Sequence, residues 1–372
     1  MKDTFSGSYD RMLMRSARAA VNEVLAVKKD ERVLIITNPS QDVKELSMAL
    51  FDACLEVKAA PSLIFQRVKS QLDFAEEEVI KAMSAGPQVV ISMSKEKMGK
   101  DRFGMRKGYK GKRRYDHIWD MLWEEQGMRS FWSPGTTKDM FMRTVPIDYS
   151  RLRKDCAKGV KALAGASSVR VTAPGGTDVT VGIEGRKARA DDGNFRKPKT
   201  GGNLPSGEVF VSPALGTMNG IVAFDGSISL HEGEIVINCP IVTEIKDGFI
   251  TSISGKKEAL MLEESVRLGE RRALEAGRRG DLRAGLVKSY AKNARAIGEL
   301  GIGLNRRAKI IANMLEDEKV YGTCHFAVGS NYDADADAML HMDGLVKKPT
   351  ITVLDKAGHE KMMMESGKLV WD

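Results

Sequence analysis

The chain has 372 residues, 42% of them hydrophobic and 29% charged, with a formal net charge of +8. That length exceeds the usual single domain, so two domains are expected. No apolar run approaches the roughly 18 residues of a membrane span, and the N-terminal stretch MKDTFSGSYDRMLMRSARAAV has acidic residues and no apolar core, so neither membrane anchor nor secretory signal is expected. Cys54, Cys156, Cys239 and Cys324 lie far apart without a CxxC pair, which suits reduced thiols and a cytoplasmic setting.

The first 160 residues predict a doubly wound α/β domain. ERVLIIT (31–37) is a short run for a buried strand, DVKELSMALFDACLEV (42–57) has helical spacing, and APSLIFQ (60–66) supplies the next strand. FAEEEVIKAMSAG and PQVVISMS repeat the helix and strand, as a parallel sheet requires. ITNPSQD follows the first strand where a dinucleotide-binding fold would carry GxGxxG, so a nucleotide site is not expected.

Residues 95–114 hold ten Lys or Arg against two acidic residues, with four glycines and the aromatics Phe103 and Tyr109. Such a segment can grip phosphates. With no nucleic-acid motif beside it, it is expected to be a solvated surface loop, and nucleic acid is not an expected partner. Trp119, Trp123 and Trp132 follow in YDHIWDMLWEEQGMRSFW and are expected to pack an amphipathic helix rather than line a pocket.

From 161 to 372 a β-rich domain is expected. SVRVTAPGGTDVTVGIEG alternates about a Pro-Gly-Gly turn as a hairpin does, and EVFVSP, GIVAFDGSISL, GEIVINCPIV and GFITSISG each predict a strand. A Glu/Arg/Ala/Leu-rich helical insertion is predicted over about 256–296, then a late helix at RRAKIIANMLED. The C-terminal PTITVLDKAGHEKMMMESGKLVWD closes with strands and tight turns, its Met run packing inward.

The chemistry concentrates in GTCHFAVGSNYDADADAMLHMD (322–343), which holds two of the five histidines. His341 and Asp343 stand two apart, so on a strand they share a face. If His325 lies on the neighbouring strand, with DADADA as the connection, two imidazoles and a carboxylate meet. That set suits Zn, Mn, Co or Fe(II). Two interior histidines satisfied by carbonyl partners would explain the same residues. Glu208 opens the apolar run EVFV, and Glu299 interrupts AIGELGIG, where unpaired carboxylates are rarely buried. His117, His231 and His359 are expected to make only local hydrogen bonds.

Four segments, NLPSGEVFVSP, IGELGIGLN, LEDEKVYGTCHFAVGSNY and HMD, resemble the metallo-aminopeptidases of peptidase family M29, the aminopeptidase T and aminopeptidase II type, and their shorter leucyl-aminopeptidase-like relatives. Weaker similarity runs through VKKDERVLIIT and FWSPGTTKDMFMRTVPIDY. The resemblance implies an α/β N-terminal domain, a β-rich metal-binding C-terminal domain and a homodimer acting on small peptides. It places metal ligands at Glu208, Glu299, His325, His341 and Asp343, with Glu208 and Tyr332 catalytic. It implies two divalent ions, Zn, Co or Mn, bridged by Glu299 and activating a water for N-terminal residue hydrolysis. The departures are a wider interval from Glu208 to Glu299, a shorter one from His325 to His341, DADADA where the shorter relatives tend to carry a glycine pair, and the basic segment 95–114 as an addition. Two alternatives remain. One is a mononuclear Fe(II) ring-cleaving dioxygenase using the two-histidine, one-carboxylate pattern. The other is a non-catalytic protein binding through the basic segment.

Overall fold

The computed structural model describes residues 9–70, 73–280 and 282–372. They form two compact units, Met1–Arg153 with Asp191–Ser206, and Lys154–Ala190 with Gly207–Asp372.

In the first unit, α1 (Arg11–Ala19) and a π-helical turn (Ala20–Val24) precede β1 (Arg32–Thr37), α2 (Gln41–Glu56) and β2 (Ala60–Phe65). Then come α3 (Glu77–Ser84), β3 (Val89–Ser94), α4 (Arg102–Lys107) and the small hairpin of β4 (Tyr109–Lys110) and β5 (Arg114–Tyr115). Helix α5 (Ile118–Gln126), β6 (Arg129–Pro134), α6 (Lys138–Thr144) and the start of α7 (Tyr149–Leu163) follow. The sheet runs β10-β6-β3-β1-β2, where β10 is Gly201–Asn203, and all its pairs are parallel. Central β3 is buried along its whole length and edge strand β2 is half exposed, as a sheet covered on both faces requires. The division of the chain therefore differs from a single cut after residue 160, which would fall inside α7. Residues 191–206 return to the first unit because β10 extends the sheet beside β6.

The crevice where such sheets commonly hold a nucleotide lies at the C-terminal ends of β1 and β3. Here the Asn38 side chain bridges the surrounding segments. Its side-chain amide donates to the carbonyls of Gln66 and Arg67 and accepts from the amide of Lys95, tying together the segments that follow β1, β2 and β3. Leu34, Ile36, Val79, Met83, Val90, Ile118, Leu122 and Met128 form the core on one face, with Trp119 and Trp123 packed against it. Trp132 lies on β6 rather than on the helix, edge-on to Trp119 at 5.8 Å. Arg129, 6% exposed, forks onto Glu31 at 2.9 and 2.7 Å. Removing one partner of such a buried pair costs about 3–5 kcal/mol.

The basic segment 95–114 is not one solvated loop. Buried Asp101 organises it by accepting from the amides of Gly104 and Ile118 and from the Tyr109 hydroxyl, which sets α4 and the hairpin in place.

The second unit is built on two sheets. An eight-stranded one runs β16-β15-β12-β8-β7-β20-β21-β22. Its strands are β7 (Ser168–Thr172), β8 (Asp178–Gly182), β12 (Asn219–Phe224), β15 (Ile241–Lys246), β16 (Phe249–Ser254), β20 (Thr350–Leu354), β21 (Glu360–Glu365) and β22 (Lys368–Leu369). A seven-stranded one runs β14-β13-β19-β18-β17-β11-β9. It comprises β9 (Arg189–Asp191), β11 (Glu208–Val211), β13 (Ser227–Leu230), β14 (Gly233–Val236), β17 (Ile297–Gly303), β18 (Thr323–Gly329) and β19 (His341–Lys347). All pairs in the first, and those from β14 to β11 in the second, are antiparallel.

GIVAFDGSISL, expected as one strand, is two. The amides of Asp225 and Gly226 both donate to the Leu345 carbonyl, and the chain passes there from β12 in one sheet to β13 in the other. The two sheets meet where the Phe224 ring lies over Gly344, whose added Cβ would stand 2.4 Å from it. The helical insertion is α8 (Lys257–Arg279), a 3-10 turn (Ala284–Leu286) and α9 (Val287–Asn293). The late helix is only one turn, α10 (Met314–Asp317). Glu316 and Asp317, both buried, accept from the amides of Lys309 and Ile311, and these side-chain bonds hold the preceding residues out of a helix. Met363 and Met364 are buried as expected, whereas Met362 is 41% exposed. Among the described residues no helix is long and apolar enough to cross a membrane.

Candidate metal centre

Strand register puts every expected ligand on one face of the seven-stranded sheet. Glu299 pairs with Ala327 and Ala327 with Asp343; His325 faces Gly301, His341 faces Gly329, and Glu208 faces Gly303. Cross-strand partners share a face, and so do residues two apart on one strand. Glu208 on β11, Glu299 on β17, His325 on β18, and His341 with Asp343 on β19 therefore point the same way. Their neighbours on that face, Gly301, Gly303, Ala327 and Gly329, are small and leave them room. At Gly301 the need is strict, since a Cβ would stand 2.0 Å from His325 Nε2.

The ligand atoms converge. His325 Nε2 lies 3.3 Å from Glu299 Oε1 and 3.6 Å from Glu208 Oε2. His341 Nε2 lies 3.6 Å from Glu299 Oε2 and 3.4 Å from Asp343 Oδ1. Three groups place their ligand atoms within 4.8 Å of one another: Glu208, Glu299 and His325; Glu299, His341 and Asp343; Glu318, His325 and Asp343. His341 Nδ1 lies 2.8 Å from the Ser330 carbonyl and can bond it only as an N–H donor, which leaves the Nε2 lone pair turned to the carboxylates. Glu208 Oε2 and Asp343 Oδ1 are buried without a hydrogen-bond donor, a state that a divalent cation relieves. The residues thus fit a metal ion.

The electrostatics agree. Burial lowers the pKa of both histidines, but the carboxylates outweigh it. Glu299 and Glu208 help push His325 up to about 9, and Asp343 and Glu299 push His341 up to about 10. Burial raises Glu299. It also opposes ionisation of Asp343, yet His341 and His325 hold that group well below the usual carboxylate range. The cluster calls for positive charge at its centre.

Tyr332 stands at the rim, 53% exposed, its ring 5.2 Å from that of His341 and 5.3 Å from that of Phe210. Desolvation, then the carboxylates of Glu299 and Asp343, raise its phenol well above the usual value, so it carries its proton. DADADA lies in the connection between β18 and β19, and two of its three acids meet arginines. Asp333 pairs with Arg186 and Arg189, and Asp335 with Arg186, while Arg189 also donates to the Tyr332 carbonyl.

Two residues of the cluster were missing from the expected set. Lys319, 0% exposed, reaches Glu208 Oε1 at 2.5 Å and also contacts Glu318. Burial raises Glu318 to about 8. In the sequence, DEK looks like a solvated surface triplet; only the apolar strand that follows hints otherwise. The remaining histidines have local roles: His117 caps α5 by accepting from the Trp119 amide, His231 bonds Ser265 and His359 bonds Asp355.

Comparison with known proteins places this site in context. Among solved structures the chain is similar to the 2,5-dihydroxypyridine dioxygenase of Pseudomonas putida KT2440. The identity is 16% and the TM-score 0.72, over 96% of this chain and 97% of that one. It is also similar to wild-type AmpT of Thermus thermophilus, again at 16% identity, with a TM-score of 0.68 over 97% and 99%. These likenesses establish the fold, an α/β domain with a β-rich one. No curated protein matches in sequence. The likeness to M29 peptidases holds for the fold, where AmpT represents them, but family membership lies elsewhere. A family model described as NicX, 2,5-dihydroxypyridine 5,6-dioxygenase, matches residues 124–370, a span that contains the whole cluster, and the chain belongs to that family.

Proposed function

We propose that this metal-dependent enzyme is an Fe(II) ring-cleaving dioxygenase acting on a hydroxylated nitrogen heteroaromatic ring. The observation that carries the reading is the gathering of His325 and His341 about the Glu299 carboxylate, with Asp343 beside His341, within the span matched by the NicX family. Two imidazoles with a carboxylate are the ligand set of non-haem Fe(II) oxygenases. When bound, a ferrous ion would bring dioxygen and the aromatic ring together and relay electrons from the ring to the oxygen. The chain's own residues do the rest. Ser330 fixes the tautomer of His341. Gly301 on β17 leaves the space that the His325 ring occupies. Tyr332, protonated at the rim, offers a hydrogen bond to a ring oxygen carrying negative charge, and the Arg186 and Arg189 pairs hold its segment in place.

A second reading, an aminopeptidase holding two ions, is favoured by one feature: the two oxygens of Glu299 face different histidines, as a bridging carboxylate's would. One experiment separates the two. Protein purified anaerobically and loaded with Fe(II) is given 2,5-dihydroxypyridine while oxygen uptake is followed; the same protein loaded with Zn(II), Co(II) or Mn(II) is given aminoacyl p-nitroanilides. Oxygen uptake that falls to background in His341→Ala supports the dioxygenase. Amine release with the same dependence, and no oxygen uptake, overturns it in favour of the peptidase.

A further inference from the structure

Lys319 is the feature that neither reading uses. It is fully buried, yet it sits between two carboxylates of the cluster, with Nζ 2.5 Å from Glu208 Oε1 and in contact with Glu318. Each of those carboxylates belongs to a candidate ligand group that also includes His325. The third group, Glu299, His341 and Asp343, includes neither Glu208 nor Glu318. Both carboxylates that could complete a second metal position are thus already engaged by an ammonium group.

We propose that Lys319 is a built-in cation standing in for a second metal ion, so that the centre holds one divalent ion on Glu299, His325, His341 and Asp343. This rests on the metal-enzyme reading above. Charge supports it. Even with Glu208, Glu299, Glu318 and Asp343 all ionised, Lys319 leaves three negative charges at most, and one divalent ion reduces that to one. A second ion would put net positive charge into a buried site and press a dication against an ammonium group, which the low-dielectric interior penalises. Lysine at this place also explains why Glu208, placed among the ligands by the resemblance to M29, directs one oxygen away from the histidines.

The test is metal stoichiometry. Wild-type protein, Lys319→Met and Lys319→Gln are loaded with Mn(II), freed of excess metal and assayed for bound ions, with the spin coupling read by electron paramagnetic resonance. The expected result is one uncoupled ion per chain in wild type and two coupled ions in at least one variant, a doubling of content. Two ions in wild type would overturn the role of Lys319 while leaving the metal-enzyme reading standing. One ion in a folded variant would overturn it too. No ion in wild type would remove the metal-enzyme reading, and this inference with it. If neither variant folds, wild type decides through a second reading: a Co(II) titration with one absorption step supports the inference, and two steps overturn it.

Discussion

His325 and His341 are held at about 9 and about 10 because the carboxylates around them outweigh the cost of burying charge. Both are raised above the ordinary value of 6.5. Their pairing as imidazolium therefore stabilises the metal-free protein fully below 6.5, and that contribution is lost as pH rises through 9 and 10. A metal needs the neutral imidazole and competes with those same protons. Metal binding at pH 7 should release about two protons, and apparent affinity should climb with pH up to about 10. Titration calorimetry in buffers of different ionisation enthalpy measures the release directly; a heat independent of buffer would contradict this account. Much of this scale was legible in the sequence. Five carboxylates and imidazoles in apolar strand contexts stood out because burying them unpaired is costly. Lys319 was not legible, since a lysine after two acids carries no mark of burial until the fold encloses it.

Among the elements, the strands that carry ligands could be read from pattern, because β17, β18 and β19 are near-continuous apolar runs broken only by the functional residues. The failures came where side chains or distant strands compete for the backbone. Glu316 and Asp317 capture amides that a helix at RRAKIIANMLED would have used, and Asp225-Gly226 turns one apparent strand into two. Neither exchange leaves a trace in hydrophobic periodicity. The same scale yields a test of β17. Gly301 has no ring of its own to contribute, but its missing Cβ is the space that His325 occupies. Gly301→Ala should displace that imidazole, cost about 1–3 kcal/mol as overpacking does, and reduce bound metal to near zero in a chain whose circular dichroism is unchanged. Normal metal content in the folded variant would show that His325 can move aside and that the glycine is dispensable.

At the scale of the whole molecule, the basic excess and the metal chemistry belong to different units. The segment 95–114 carries a net charge equal to that of the entire chain, and it lies in the unit built on the parallel sheet. All candidate ligands of the centre, together with Lys319, Tyr332 and the arginines that hold its segment, lie in the other. In the unit of the parallel sheet, Asn38 ties together the segments that follow β1, β2 and β3. This division makes a prediction for the intact protein. A ligand that binds only the folded state stabilises it by about 2.7 kcal/mol at a hundred times its dissociation constant, and the gain falls on the structure whose opening would release it. Removing metal with a chelator should speed amide hydrogen exchange in peptides from β11, β17, β18 and β19, by roughly the hundredfold that such a free energy implies. Peptides from β1, β3 and β6, whose protection comes from parallel pairing and from the Arg129–Glu31 fork, should exchange at unchanged rates. Equal acceleration in both sets would mean that the metal stabilises the chain as one cooperative body, and the assignment of the chemistry to a separate, independently responding unit would have to be given up.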